Sequence, residues 1–237
     1  FERSGALLRR VGAVFFNLTS SNTTKELQAL EREIMPKYAA HHNQITSNAE
    51  LFKRIKAVKE GNETLSGEAF QLLAETHREF VRAGAELDDR KRKRVNAITE
   101  ELAGLLTEFS QNVLKDTNEF EMILDEPADL AGLPNFVLKA ASTEAADRGH
   151  SGKYAFTISR SSITPFLQYA DSRELRERIY RAYTSCGVTA VDNKPIIQRI
   201  IRLRAERASL LGFPTHGEFM ADDRMAGSIS AVRELLD

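Results

Sequence analysis

Residues 88–118 read DDRKRKRVNAITEELAGLLTEFSQNVLKDTN, and this stretch decides the fold class. Its apolar residues recur at intervals of three and four, which is the spacing of one face of an α-helix. That face consists of Val95, Ile98, Leu102, Leu105, Leu106, Phe109 and Val113. At about 1.5 Å per residue such a helix is roughly 45 Å long. The sequence therefore predicts a helix over 88–119 that is too long for a miniature bundle.

The same periodicity continues on both sides of this stretch, and only 13 glycines and six prolines interrupt the 237 residues. Three pairs place a hydroxyl three residues before a carboxylate, as in a capping box: Thr23 and Glu26, Ser47 and Glu50, Thr215 and Glu218. We predict helices over 2–16, 23–45, 48–60, 67–83, 88–119, 142–148, 163–170, 172–186, 193–211, 216–225 and 229–236. The chain is thus expected to be a mostly α, multi-helix antiparallel bundle that forms one helical domain over 1–237.

One segment departs from the helical pattern. Gly149 and Gly152 precede alternating aromatic, small and β-branched residues, which predicts a turn and a short β-strand or hairpin within 149–159. Two segments are candidates for the partner strand, Phe120–Leu124 and Phe136–Val137.

Composition excludes several classes of protein. Lysine and arginine total 33 against 34 acidic residues, which gives a net charge of −1. The chain as a whole therefore has no positive electrostatic field that would favour binding to nucleic acid or to an anionic membrane. The single cysteine, Cys186, excludes an internal disulfide and fits a reducing compartment. No run of 18 apolar residues is present, so no transmembrane helix is expected. We expect a cytoplasmic protein that binds neither nucleic acid nor membrane, with the periplasm as the alternative location.

The histidines do not form a recognisable metal motif. In a His-Glu-x-x-His helix two imidazoles share one face, but Met220 stands where a second histidine would follow His216. Glu218 is better explained by the capping box with Thr215. Adjacent His41 and His42 lie about 100° apart on a helix, so we expect surface histidines there. The chain is therefore predicted to hold no catalytic, cofactor-binding or metal residues.

Three other features resemble functional motifs but have simpler interpretations. Segment 149–153 lacks the first glycine and the magnesium-binding hydroxyl of a phosphate loop, so we interpret it as a flexible turn. The basic run 90–94 spreads around the helix axis and is typical of a solvated helix end. Cys186 is expected to be an inert thiol within a helix. From the residues alone, the chain is a soluble helical module without a visible active site.

Several sequence blocks resemble the N-terminal part of the peptidyl-dipeptidase and oligopeptidase A family, which includes thimet oligopeptidase and neurolysin. The blocks keep the family order over almost the whole chain: 33–41, 48–55, 80–87, 165–169, 173–177, 182–183, 192–194, 203–208, 210–213 and 225–226. Block 80–87 is most similar to the bacterial peptidyl-dipeptidase (dipeptidyl carboxypeptidase) branch. Cys186 departs from the pattern, because many relatives have an arginine there.

This resemblance implies a neurolysin-like helical fold and a zinc enzyme that removes C-terminal dipeptides from short peptides. Family members hold one zinc ion with two histidines of a His-Glu-x-x-His helix and a downstream glutamate, and the glutamate of the motif is the general base. None of these residues can be placed on this chain, since the motif would follow Asp237. We therefore expect one zinc ion in the full-length enzyme and none in this chain.

The ends of the chain suggest truncation. The sequence begins at Phe1 within an apolar helical pattern and without an initiator methionine. It ends at Asp237 within a second apolar helical pattern. We expect a zinc-free, inactive N-terminal portion that forms one wall of a peptide channel and self-associates through exposed apolar helix faces. The alternative is an autonomous helical scaffold or peptide-binding module without enzymatic activity.

Overall fold

The computed structural model describes residues 4–61, 65–189 and 191–237, and α-helices dominate these segments. The helices are α1 Ala6–Ser21, α2 Lys25–Thr46, α3 Ala49–Glu60, α4 Gly67–Arg82, α5 Asp89–Glu119, α6 Asn135–Asp147, α7 Arg160–Tyr169, α8 Arg173–Thr184, α9 Lys194–Leu210, α10 His216–Ala221 and α11 Ile229–Leu236. Two strands, β1 Met122–Leu124 and β2 Tyr154–Phe156, and a 3₁₀ turn at Pro127–Leu130 complete the described structure. The prediction of a mostly α protein with one short β segment is confirmed.

The chain divides into two compact units. The first unit comprises Phe1–Glu108 and Ile196–Asp237, and the second unit is the continuous segment Phe109–Pro195. Helices α5 and α9 each contribute residues to both units. That residues 1–237 fold together as one helical domain stays a prediction.

The first unit has a core built by α4, α5 and α9. Phe80, Ile98 and Leu203 are completely buried, and full burial of such a side chain stabilises the fold by about 1.5–3 kcal/mol. The α5 residues Val95 and Leu102 belong to the predicted apolar stripe and are buried as well.

Two arginine–carboxylate pairs connect α5 to α9 in the same unit. Arg94 donates two hydrogen bonds to Glu206, at 2.6 and 2.7 Å. Arg199 donates two to Glu101, at 2.5 and 2.9 Å. These hydrogen bonds lower the pKa of both carboxyl groups, and the paired geometry fixes the register of the two helices.

The second unit packs α6, α7 and α8 against the antiparallel pair of strands. Met122 lies opposite Phe156, and Leu124 lies opposite Tyr154. The rings of Phe156 and Phe166 are 4.6 Å apart between centroids, and both side chains are fully buried, as is Ile179 on α8. The partner strand is therefore within 120–124, one of the two predicted candidates.

Helix α6 differs most from its prediction. It begins at Asn135, seven residues before the predicted start at 142, and its N-cap residue is Pro134. Phe136 and Val137 consequently lie in a helix, and their interpretation as a strand is wrong. The fixed φ of proline favours a helix start directly after it, and the short apolar run concealed that signal.

Smaller differences concern helix ends. The caps of α2 and α3 are Thr24 and Asn48, each one residue after the predicted hydroxyl, whereas Thr215 caps α10 as predicted. Helix α8 ends at Thr184, so Cys186 lies beyond the helix in which it was expected. The first predicted helix, 2–16, begins at residues that lie outside the described segments, and α1 extends to Ser21.

None of the helices in the described segments combines the length and apolar character needed to cross a membrane.

Candidate functional site

A cleft of about 280 Å³ opens in the first unit, where residues of α2, α4, α5 and α9 meet. Its lining is rich in charge, with three arginines and three carboxylates. The arginines are Arg78, Arg82 and Arg207, and the acidic residues are Glu75, Glu79 and Asp223. Because oppositely charged side chains line one concave surface, the cleft is a candidate site for a small polar ligand.

Arg82 is held by several partners on the α10 side of the cleft. Its guanidinium donates to Asp222 Oδ2 at 2.8 Å and to the Phe219 carbonyl oxygen at 2.7 Å. Its Nε is 3.3 Å from Asp223 Oδ2, and the guanidinium carbon lies 4.1 Å from the centre of the Phe219 ring. Arg82 is therefore a fixed, neutralised cation that joins α4 to α10.

Arg207 lies beside the same phenylalanine but has no comparable partners. Its guanidinium carbon is 5.1 Å from the centre of the Phe219 ring. Its Nε is buried without a hydrogen-bond acceptor, and among the described residues no carboxylate forms an ion pair with it. Burial lowers the pKa of the Arg207 guanidinium, and the positive charges of Arg204 and Arg82 lower it further.

His216, the first residue of α10, shares this environment. Its ring stacks near Phe219 with centroids 6.1 Å apart, and its Nδ1 is buried without a hydrogen-bond partner in the described structure. Burial lowers the pKa of the His216 imidazole, and Arg204 and Arg207 lower it further. The neutral imidazole is thus the favoured form.

The capping interpretation of His216-Gly217-Glu218 is confirmed. The Glu218 backbone N–H donates to Thr215 Oγ1 at 3.2 Å, and that hydroxyl in turn donates to the Glu218 carboxylate at 3.0 Å. Glu218 therefore closes the first turn of α10.

The adjacent histidines of α2 are exposed, as predicted. His42 lies at the rim of the cleft with its Nε2 3.8 Å from Glu79 Oε1.

The glycine-containing turn at 149–153 is held by acidic residues of the second unit. Lys153 Nζ is 2.8 Å from Asp125 Oδ2, and His150 Nε2 is 3.3 Å from Glu121 Oε1. A phosphate loop would use its lysine for the ligand, whereas here that lysine already pairs with Asp125. The structure supports the interpretation of 149–153 as a turn.

The basic run at the start of α5 is partly neutralised within the first unit. Arg92 pairs with Asp89, and Arg94 pairs with Glu206. The Lys91 backbone N–H donates to Asp88 Oδ1 at 2.9 Å, which caps the helix. These contacts fit the predicted helix end.

Cys186 packs against α5 in the second unit. Its Sγ is 3.4 Å from both Thr117 Oγ1 and the Val113 carbonyl oxygen. Next to it, Asp116 Oδ2 accepts hydrogen bonds of 2.7 Å from Gly187 N and Thr189 Oγ1. These contacts hold the segment after α8, so the surroundings of the thiol are those of a structural residue.

The described residues contain no group of three histidine, cysteine, aspartate or glutamate side chains placed to hold a metal ion. The zinc ion implied by the family resemblance finds no ligand set among them. That this chain contains no catalytic or metal residue stays a prediction.

Comparison with known proteins shows which peptidases the chain is similar to. Residues 166–237 match peptidase family M3. The chain is 32% identical over 243 residues to the dipeptidyl carboxypeptidase of Escherichia coli (strain K12), and this alignment covers 99% of the chain. The chain therefore contains part of a peptidase family M3 domain. The predicted resemblance, including its dipeptidyl carboxypeptidase branch, is confirmed.

Two oligopeptidases are similar to the chain over nearly its whole length. The chain is 33% identical over 230 residues to the organellar oligopeptidase A of Arabidopsis thaliana, which covers 93% of the chain and 29% of the relative. It is 32% identical over 238 residues to the oligopeptidase A of Haemophilus influenzae, and this alignment covers 97% of the chain and 35% of the relative. The dipeptidyl carboxypeptidase alignment covers 36% of that relative. The chain thus spans about a third of the length of these curated relatives.

Sequence reasoning missed the charged cleft. Most of its residues come from four helices that are far apart in the sequence, and Asp223 follows α10. Arg207 is one of several arginines that alternate with apolar residues along α9. The only available signal was the excess of arginine on this helix, which does not distinguish a cleft residue from a solvated one.

Proposed function

We propose that this chain is the non-catalytic, N-terminal helical portion of a zinc-dependent peptidyl-dipeptidase. The full-length enzyme would act in the cytoplasm and remove C-terminal dipeptides from short peptides, and this portion would form one wall of the substrate channel. The observation that carries the proposal is the 32% identity to a dipeptidyl carboxypeptidase over 99% of the chain, which corresponds to 36% of that relative. The absence of a metal-ligand cluster from the described residues is compatible with a zinc site elsewhere in the enzyme.

The reading frame that encodes this chain tests the proposal directly. We expect a His-Glu-x-x-His motif downstream of Asp237, because the zinc chemistry of the proposed enzyme needs two imidazoles on one helix face and a glutamate beside the metal-bound water. A stop codon immediately after Asp237 would contradict the proposal and favour an autonomous helical scaffold or peptide-binding module.

The isolated chain provides a second test. We expect the purified 237-residue chain to retain less than stoichiometric zinc and to release no dipeptides, because its described residues offer no ligand set. Metal analysis by mass spectrometry after gel filtration and chromatography of a short peptide digest measure the two properties. The dipeptidyl carboxypeptidase of E. coli in the same digest is the positive control. One tightly held zinc ion per chain with chelator-sensitive cleavage would overturn the prediction.

A further inference from the structure

The cleft of the first unit contains an arginine that forms no ion pair among the described residues, although carboxylates line the same cleft. Arg207 lines the cleft, its Nε is buried without an acceptor, and no carboxylate of the described residues forms an ion pair with it. A partly buried charge without a partner is costly, because it loses hydration and gains no ionic hydrogen bond in return.

The other arginines of the cleft are already paired. Arg78 contacts Glu75, and Arg82 pairs with Asp222 and Asp223. Among the described residues, Arg207 is consequently the lining arginine that forms no ion pair. The lowered pKa of Arg207, caused by burial and by the neighbouring positive charges, agrees with a deficit of negative charge around this guanidinium.

The chemistry of a guanidinium selects the kind of anion that would supply this charge. Its planar fork of N–H donors matches the two oxygens of a carboxylate and can bind them with two parallel hydrogen bonds. Phosphate fits the same fork. However, Glu75, Glu79 and Asp223 line the same cleft, and these carboxylates would repel a doubly charged phosphate more strongly than a singly charged carboxylate.

The size and lining of the cleft restrict the rest of the ligand. A volume of about 280 Å³ is just below the range of about 300–1,000 Å³ that is typical of small-molecule sites. Ala83 and Val95 contribute apolar surface to the lining, which suits a few methylene groups. We propose that this cleft binds a short aliphatic carboxylate whose carboxylate group is held by Arg207. The proposal does not depend on the peptidase assignment.

Binding of butyrate to the 237-residue chain tests this inference, with inorganic phosphate as the competing anion. Saturation-transfer NMR at constant ionic strength gives the dissociation constant of each probe. The variants are Arg207→Gln, which removes the charge, and Arg207→Lys, which keeps the charge but loses the fork. Arg202→Gln is the matched control, because Arg202 is an exposed arginine on the same helix and does not line the cleft.

We expect saturable butyrate binding to the wild-type chain and to Arg202→Gln. Its dissociation constant should rise about tenfold or more in Arg207→Gln, as expected when a charged hydrogen-bond pair is lost. Arg207→Lys should bind butyrate more weakly than wild type, and this comparison decides the matter if circular dichroism shows that Arg207→Gln does not fold. Three results would overturn the proposal: butyrate binding that does not saturate, equal weakening in Arg202→Gln, or tighter binding of phosphate than of butyrate.

Discussion

At the scale of single residues, two glycines with similar backbone conformations have very different surroundings. Gly132 has φ +82° and Gly149 has φ +86°, both in the left-handed region. A Cβ atom on Gly132 would overlap the Tyr169 carbonyl oxygen and lie 2.7 Å from Asp171 Oδ1, whereas nothing lies within 4 Å of a Cβ on Gly149. The close approach at Gly132 accompanies a hydrogen bond of 3.0 Å from Asp171 N to the Ala131 carbonyl oxygen.

We therefore expect Gly132→Ala to lower the free energy of unfolding by about 3 kcal/mol, since it adds a steric clash with backbone to the conformational penalty. Gly149→Ala carries the conformational penalty alone and should cost about 1 kcal/mol. Urea denaturation followed by circular dichroism measures both values. Equal losses in the two variants would show that the contact with Tyr169 is unimportant.

His216 predicts a pH dependence of stability. Burial and the nearby arginines lower the pKa of its imidazole in the folded chain, so the unfolded chain binds the proton more readily, near its ordinary pKa of about 6.5. The contribution of the neutral ring is complete above that pH and is lost as the pH falls from about 6.5 towards the lower folded pKa.

The variant His216→Gln should consequently lose less stability than wild type between pH 7.5 and pH 5.5. Chemical denaturation at a series of pH values gives the two slopes. His41→Gln, which removes an exposed imidazole from α2, is the control for loss of a histidine as such. The interpretation fails if His216→Gln keeps the full wild-type slope.

At the scale of helices, two serines at N-cap positions differ in what they contribute. Ser172 Oγ accepts a hydrogen bond of 3.3 Å from the Leu175 backbone N–H at the start of α8. Ser66 precedes α4 and makes no capping hydrogen bond with its side chain. Ser172 therefore provides an acceptor for a backbone N–H group in the first turn of its helix, and the side chain of Ser66 does not.

Replacement of each serine by alanine measures this difference. Ser172→Ala should cost about 1 kcal/mol of unfolding free energy, and Ser66→Ala should cost clearly less, because no capping bond is removed. Urea denaturation of the two variants provides the comparison. Similar losses would mean that the conformational preference of serine, rather than its hydrogen bond, determines the effect.

Most helices could be predicted because their apolar stripes are long, but local competition moved several ends. At α2 and α3 a neighbouring Thr24 or Asn48 supplies the capping oxygen in place of the predicted hydroxyl. The apolar residues Phe136 and Val137 fit a strand as well as a helix, and the local signal that favours the helix is Pro134 before it.

The candidate site was less accessible to sequence reasoning than the helices. Arg82 and Arg207 are 125 positions apart in the sequence, and their shared contact with Phe219 depends on the packing of α4, α9 and α10. Short-range periodicity identifies which face of a helix is apolar. It does not show which charges from different helices meet.

At the scale of the whole molecule, large apolar side chains remain on the surface of the described structure near both ends. Leu7 and Val14 on α1 are 75% and 63% exposed, and Leu235 and Leu236 on α11 are 86% and 78% exposed. Large exposed apolar side chains on one helix favour association with another protein surface when they form a patch.

We predict that the isolated chain self-associates and that Leu236→Glu weakens this association by placing a charge on the apolar surface of α11. Glu234→Lys changes the charge of the same helix without altering its leucines and serves as the control. Light scattering coupled to gel filtration measures the apparent mass over a range of concentrations. A concentration-independent monomer would contradict the prediction.

The division into two units has a consequence for the order in which the chain folds during translation. Every residue of the second unit, Phe109–Pro195, leaves the ribosome before the segment Ile196–Asp237 that completes the first unit. The core of the first unit includes Leu203 and Ala208 from that late segment. The second unit can thus fold on the nascent chain before the last helices of the first unit have been synthesised.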